Sequence, residues 1–303
     1  MSYERPKTEL SKAIPLILLA AFFNTLMVFF VKIVSTSVST QLIVLVRYVI
    51  TLIILMPFIY FNPAKQSMSS FLKTKRFPLH FVRDVFGLVS VLCSFYAAKN
   101  ISLADATILF NTAPLFIPIV AFFWGGLKIM HRLWFGMGLG FLGVLLILHP
   151  GRELFHFAAV AGLFSGVFAA IAYVGGRYLT YSEPPLRNMF YYFIVGSLMA
   201  LILVICSREN FSALFYPKVL LLLLAVGVFG YFYQWCSTHA ARHAPVRLTS
   251  SFLYTSVIFS MFLDWFFWNV TPNLIAILGM LSIIGGACLL LFLYPKDDYQ
   301  KRK

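Results

Sequence analysis

The segment 97–150, AAKNISLADATILFNTAPLFIPIVAFFWGGLKIMHRLWFGMGLGFLGVLLILHP, returns in degraded form at 240–295 as AARHAPVRLTSSFLYTSVIFSMFLDWFFWNVTPNLIAILGMLSIIGGACLLLFLYP. At a constant shift of 143 residues Ala97 falls on Ala240, Lys99 on Arg242, Thr112 on Thr255, Gly136 on Gly279 and Gly143 on Gly286. Each copy is two apolar runs joined by a short basic or polar link. A repeat fixes the architecture before any local motif does, and apolar repeats in a membrane chain point to a transporter built of two halves.

Composition sets the class in which that repeat works. With 61% hydrophobic residues, 11% charged, 33 Phe and a mean hydropathy of +0.88, the chain lacks the polar surface a water-soluble globule of this size needs. The lipid bilayer is therefore its solvent. Several apolar runs reach the roughly 20 residues that cross a bilayer as helix, and the ten-residue alternation of an outer-membrane barrel is absent, so the chain reads as an all-α membrane protein. The net charge of +14 does not indicate nucleic acid, because Lys and Arg sit in short links between apolar runs.

Ten transmembrane helices are predicted, at about 13–35, 41–61, 79–98, 104–124, 133–149, 154–180, 189–206, 219–240, 248–268 and 274–294. They divide into a tail 1–12, a first five-helix repeat 13–150, a second 151–295 and a tail 296–303. If the amino terminus is cytoplasmic, sixteen Lys and Arg lie in the tails and inside links, and only Lys99, Arg152, Arg208 and Lys218 lie outside. That asymmetry places both termini in the cytoplasm, in a chain without a cleaved signal peptide. Five spans per half is an odd number, so the second half enters the membrane from the opposite side and the repeats are inverted.

Local motifs add little chemistry. Cys93, Cys206, Cys236 and Cys288 are isolated and show no metal-ligand spacing, and there is no Walker A loop, H-E-x-x-H or G-x-S-x-G. No cofactor, metal or hydrolytic site is expected. Gly136-x-x-x-Gly140 and Gly162-x-x-x-Gly166 allow close helix approach, within the chain or in a possible homodimer through the fifth or tenth span. Pro114 and Pro118 should bend the fourth span.

VRYVITLIILMPF around Arg47, SLADATILFNTAPLFIPIVAFFW at the fourth span and GMGLGFLGVLLILHPG at the fifth resemble the drug/metabolite transporter superfamily, and within it the tandem EamA type. ARHAPVRLTSSFLYTSVIFSMFLDWFF and LGMLSIIGGACLLL repeat the match in the second half. Members commonly carry Gly-Glu after the fourth and ninth spans, where this chain has Gly125-Gly126-Leu127 and Asn269-Val270-Thr271. The resemblance implies a ten-span carrier of amino acids, related metabolites, nucleotide derivatives or toxic compounds, with spans five and ten at the periphery. S-adenosylmethionine is one zwitterionic candidate.

Polar groups inside spans are where function is to be sought, because charge in hydrocarbon is costly. Lys32 and Arg177 lie near opposite ends of spans one and six, superpose at a shift of 145 as two-fold mates, and are within snorkelling reach of headgroups. Arg83 sits beside Asp84 at the cytoplasmic start of span three, where an interfacial position is expected. Arg47 lies roughly 9 Å below Gln41 along its helix, near the limit of its side chain's reach. Asp264 is the acid placed well inside a span, either pairing with Arg47 as a gate or static tie, or carrying a proton.

Asn24, Asn111, Tyr173, Tyr233, Gln234 and Tyr254 add neutral hydrogen-bonding groups, each readable as helix glue or as part of a polar cavity. In-span cations outnumber acids, so an anionic or zwitterionic metabolite fits better than a cationic drug. A drug or toxic-compound exporter of the same fold is an alternative. A membrane enzyme lacks a catalytic cluster at any helix end, and a non-transporting scaffold leaves the buried polar groups without purpose.

Overall fold

The computed structural model describes residues 10–61, 72–125, 133–148, 157–180, 182–209, 211–243 and 255–293, and everything among them is helix, turn or extended link without a strand. In chain order the helices are α1 (Leu10–Val34), α2 (Thr40–Tyr60), α3 (Phe77–Asn100), α4 (Leu103–Phe110), α5 (Ala113–Gly125) and α6 (Leu133–Leu148). The second half supplies α7 (Phe157–Thr180), α8 (Pro185–Cys206), a 3-10 turn (Phe211–Phe215), α9 (Pro217–His243), α10 (Thr255–Trp268) and α11 (Leu274–Leu293). Seven stretches are long and apolar enough to span a bilayer, α4 and α5 counting together, and three shorter apolar helices lie at 134–146, 255–268 and 274–286. Residues 1–9 and 294–303, the basic link after Gly125 and Tyr254 lie outside the described residues, and Leu10 to Lys12 of the expected tail belong to α1.

Local chemistry sets the helix starts. Ser39 Oγ accepts from the Leu42 amide at the start of α2, Ser102 Oγ from Asp105 at α4, and Asn273 Oδ1 from Ala276 at α11. Proline opens α3 and α8, where no amide hydrogen is needed.

The fourth span is the exception to the expected pattern. Rather than bending at its prolines, it breaks one step earlier at Asn111 and Thr112, where the Thr112 hydroxyl donates to Leu109 O at 2.6 Å. Pro114 then sits in the first turn of α5, a place that tolerates a residue with no amide hydrogen. Gly166 of α7 leaves room for this break, since a Cβ there would collide with the Thr112 hydroxyl and meet Leu109 O at 2.8 Å.

The two halves pack in a two-fold pattern: α1 against α9 and α3 against α7 are one mated pair of contacts, while α2 meets α8, the α4/α5 pair meets α10, and α6 meets α11. Glycines make the last contact. A Cβ at Gly143 would meet the Gly279 carbonyl, and one at Gly286 would fall 2.5 Å from Gly136 O. The small-residue stripe is thus consumed within the chain. Large apolar side chains such as Phe123, Phe135, Ile205 and Phe292 point outward, as expected where the surrounding medium is lipid.

Candidate functional site

A cavity of about 120 Å³ lies between α1, α3, α7 and α9, capped by single residues of α2 and α4 and by the start of α8. Its residues lie toward the end of the bundle where α1, α3 and α8 begin and α7 and α9 finish. The opposite end is filled by Val31, Val34, Val38, Leu42, Ala98 and Leu103, all buried.

Arg47 closes the cavity at depth. It projects inward from the third turn of α2, is 1% exposed, and has neither Nε nor Nη1 hydrogen-bonded. The Tyr48 and Phe95 rings each stand 5.4 Å from its guanidinium carbon. Gly230 on α9 gives it room, because a Cβ there would be 2.8 Å from Nε. Cation and ring attract, but the rings do not replace the lost water bonds, so a buried guanidinium left so bare is primed for an anion. Among the described residues lining the cavity there is no Asp or Glu.

The wall around Arg47 is polar and aromatic. Tyr173 and Tyr233 share a hydroxyl contact of 3.2 Å, and Tyr48 donates to the Tyr192 hydroxyl at 3.0 Å. Asn24 lines the wall, as does Gln234, whose Nε2 donates to Thr238 Oγ1 at 3.2 Å. Arg177 lies toward the mouth and donates to Ala241 O at 3.0 Å.

Asp264 is elsewhere, and its ion pair is with Lys32 rather than with Arg47. Its two oxygens accept from the Leu103 and Ala104 amides at 3.1 and 2.7 Å, at the start of α4, with Lys32 Nζ 3.6 Å away. Lys32 therefore does not reach for headgroups. It donates to Ile101 O at 2.9 Å and lies 4.8 Å over Trp268, because α10 brings a carboxylate to the first turn of α4, where the free amides and the dipole favour one. One and two turns further along the same seam Thr107 meets Ser260 at 2.9 Å and Asn111 donates to Ser256 Oγ at 2.9 Å. Asn111 is helix glue outside the cavity, and its two-fold mate Tyr254 lies outside the described residues. At the shift of 143, Asp264 falls on Ala121, so the repeat does not carry the acid at the equivalent position of the first half.

Arg83 and Asp84 are enclosed by the bundle, and Asp264 is not alone among its buried acids. Asp84 and His80 are both 0% exposed, because α8 packs over this turn of α3 and places Asn188, Tyr191 and Tyr192 on it. Arg83 lines the cavity and donates to Asp84 Oδ1 at 2.8 Å, with its guanidinium 4.5 Å from the Tyr192 ring. The spacing of His80 and Asp84 on one helix face is readable in sequence, but the covering helix comes from a hundred residues away.

The sequence profile of the EamA-like transporter family matches residues 11–149 and 156–292. Over 218 residues, 71% of this chain and 74% of the other, the chain is 32% identical to the pseudopaline exporter CntI of Pseudomonas aeruginosa. It is 23% identical to a riboflavin transporter of Vibrio cholerae over 239 residues, 78% of this chain and 76% of the other. With an S-adenosylmethionine uptake transporter of Rickettsia bellii it shares 21% identity over 255 residues, 84% of each. A solved structure 17% identical in sequence superposes with a TM-score of 0.66, covering 94% of this chain and 99% of that one, which shows the fold alone.

Proposed function

The chain belongs to the EamA-like transporter family and moves a small molecule across a membrane without being an enzyme, and from that premise we propose an alternating-access secondary transporter whose substrate is anchored by Arg47 through an acidic group. The observation that carries this reading is the bare guanidinium at the end of a cavity whose described lining holds no acid. Arg fits a carboxylate or phosphate through two parallel hydrogen bonds, so an anionic or zwitterionic metabolite is the substrate class. Tyr173, Tyr233, Asn24 and Gln234 complete the wall against which the rest of the molecule lies.

The seven long spans and three shorter apolar helices together make ten in this reading, divided into repeats at 13–150 and 151–295. The positive-inside asymmetry sets both termini in the cytoplasm, of a bacterial inner membrane by analogy with the bacterial relatives. The cavity end of the bundle then faces the cytoplasm, and Lys32, Asp264 and the first turn of α4 form the outer gate, closed in this conformation. Arg177 is the two-fold mate of Lys32 at the inner mouth, where it donates to Ala241 O. A homodimer through α6 or α11 has to use a face other than Gly136, Gly143, Gly279 and Gly286, which meet each other.

Counterflow of labelled organic acids, amino acids and S-adenosylmethionine in proteoliposomes tests the reading. Arg47→Gln is expected to insert normally and abolish exchange of whichever compound the native protein carries. Exchange at the native rate by Arg47→Gln removes Arg47 from the site and leaves the drug-exporter alternative ahead.

A further inference from the structure

Three buried acids occur among the described residues, and two of them are fully satisfied. Asp264 uses both oxygens on backbone amides, and Glu183 uses one on Thr74 and the other on Arg187. Asp84 differs: Oδ1 accepts from Arg83, while Oδ2 has no partner and no exposure. One turn toward the helix start, His80 is also fully buried with both ring nitrogens unpartnered, its ring 4.5 Å from that of Tyr191. Arg83 Nε and Asn188 Oδ1 are unpartnered as well. A pair kept only as structure would satisfy these atoms, since each orphan costs about 1–3 kcal/mol in a dry interior.

Charge around the cavity gives the cluster a purpose. With Asp84 ionised, Arg83 is neutralised and Arg47 leaves the deep end of the cavity one positive charge, which a single acidic group of a substrate balances, while Arg177 lies toward the mouth. At that depth the second cation is Arg83, which Asp84 holds until it gives it up. A proton on Oδ2 does that: the carboxylate becomes a neutral acid, the ion pair becomes a hydrogen bond from a guanidinium cation to an uncharged oxygen, and Arg83 is left needing an anion on the cavity side it already lines. His80 lies four residues nearer the cytoplasmic start of α3 on the same helix face, about 5–6 Å away between Cβ atoms, and is the titratable base between Asp84 and that end of the helix.

We propose that Asp84 is the proton-coupling group of this transporter, reached through His80, and that the proton it takes frees Arg83 to hold the second acidic group of a substrate carrying two. One proton and one additional negative charge enter the site together and leave together, so the net charge of the loaded site is unchanged and the coupling is co-transport. The other groups facing this turn are consistent with such a switch. Tyr192 and the Asn188 carbonyl come from α8 and contact Arg83 directly, and Glu183 and Arg187 neutralise each other at its lip. Arg47 and Tyr48 face it from α2, Tyr173 and Arg177 from α7, and Tyr233 from α9, while α1 and α4 contribute the neutral Asn24 and Phe110.

The proposal rests on the anion-binding reading of the cavity, and the experiment has two arms that fail separately. The first needs no substrate: infrared difference spectra of the full chain in nanodiscs, taken from alkaline to mildly acidic pH. A buried carboxylic-acid C=O band is expected to grow as pH falls, to persist in Asp264→Asn and to vanish in Asp84→Asn. Identical spectra for the native protein and Asp84→Asn overturn the proposal.

The second arm adds succinate, malate or lactate to unbuffered protein and measures proton uptake beside thermal stabilisation. A dianion that stabilises the native chain and draws about one proton, with no uptake in Asp84→Asn or with lactate, supports the coupling. Stabilisation by a dianion without proton uptake overturns it. If neither dianion stabilises the protein, the two-acid substrate class falls while the titration of Asp84 stands.

Discussion

Replacing Asp264 by Asn should open the outer end of the bundle, and the structure sets the size of the effect. The carboxylate accepts two amide hydrogens from the free first turn of α4, at 3.1 and 2.7 Å, and has Lys32 Nζ at 3.6 Å. An Asn side chain offers one carbonyl oxygen and turns an NH2 toward the second amide, so one buried N–H loses its acceptor at about 1–3 kcal/mol. Lys32 keeps its bond to Ile101 O and the Trp268 face, and at 16% exposure the loss of its anion adds roughly 1 kcal/mol. A total of about 2–4 kcal/mol, present only while the outer end is closed, shifts the ratio of outward-open to inward-open forms by roughly 30- to 700-fold.

Spin labels at the exposed positions Ser37 and Thr271, on a background without the four cysteines, read that shift as a longer distance population in double electron–electron resonance. The expected result is a minor population in the native chain that dominates in Asp264→Asn. An unchanged distance distribution with a lowered melting temperature would show the contact to be a static tie and would refute the gate.

Gly143→Ala places a Cβ against the Gly279 carbonyl and within 2.8 Å of the Ile283 amide, so thermal unfolding in detergent should show a loss of about 1–3 kcal/mol, whereas Gly138→Ala, with nothing within 4 Å, should be neutral. Gly230→Ala pushes a methyl toward Arg47 Nε, 2.8 Å away, and should weaken substrate binding while the fold survives; native affinity in a folded Gly230→Ala protein would show that Arg47 has room to spare. A cysteine at Ser69, in the link between α2 and α3 and outside the described residues, should react with an impermeant reagent only from the cytoplasmic side. Labelling from outside reverses the orientation.

The long-range architecture was legible in the sequence because a repeat writes itself twice: the shift of 143 already pairs Gly136 with Gly279 and Gly143 with Gly286, the glycines that meet in α6 and α11. Arg47 was legible because its depth in an apolar run demands a reason. Partners were not. Nothing local says that Asp264 would face Lys32 and the α4 amides, that Asn111 would meet Ser256, or that α8 would bury Asp84, since each depends on packing between segments about 100 or more residues apart. The break at Asn111 and Thr112 was missed for a different reason. Proline announces that the helix cannot continue unchanged, but the hydroxyl bond from Thr112 and the space left by Gly166 select the residue where it ends.

Whether Arg47 holds the acidic group of the substrate is read from calorimetric binding of a transported compound to the native chain and to Arg47→Lys. Lys keeps the charge but loses the planar fork, so the dissociation constant should rise about 10- to 100-fold, corresponding to roughly 1.4–3 kcal/mol, with Lys32→Arg unchanged as the control. Equal affinity in the native protein and Arg47→Lys would contradict the claim and leave the bare guanidinium at the end of the cavity without a role.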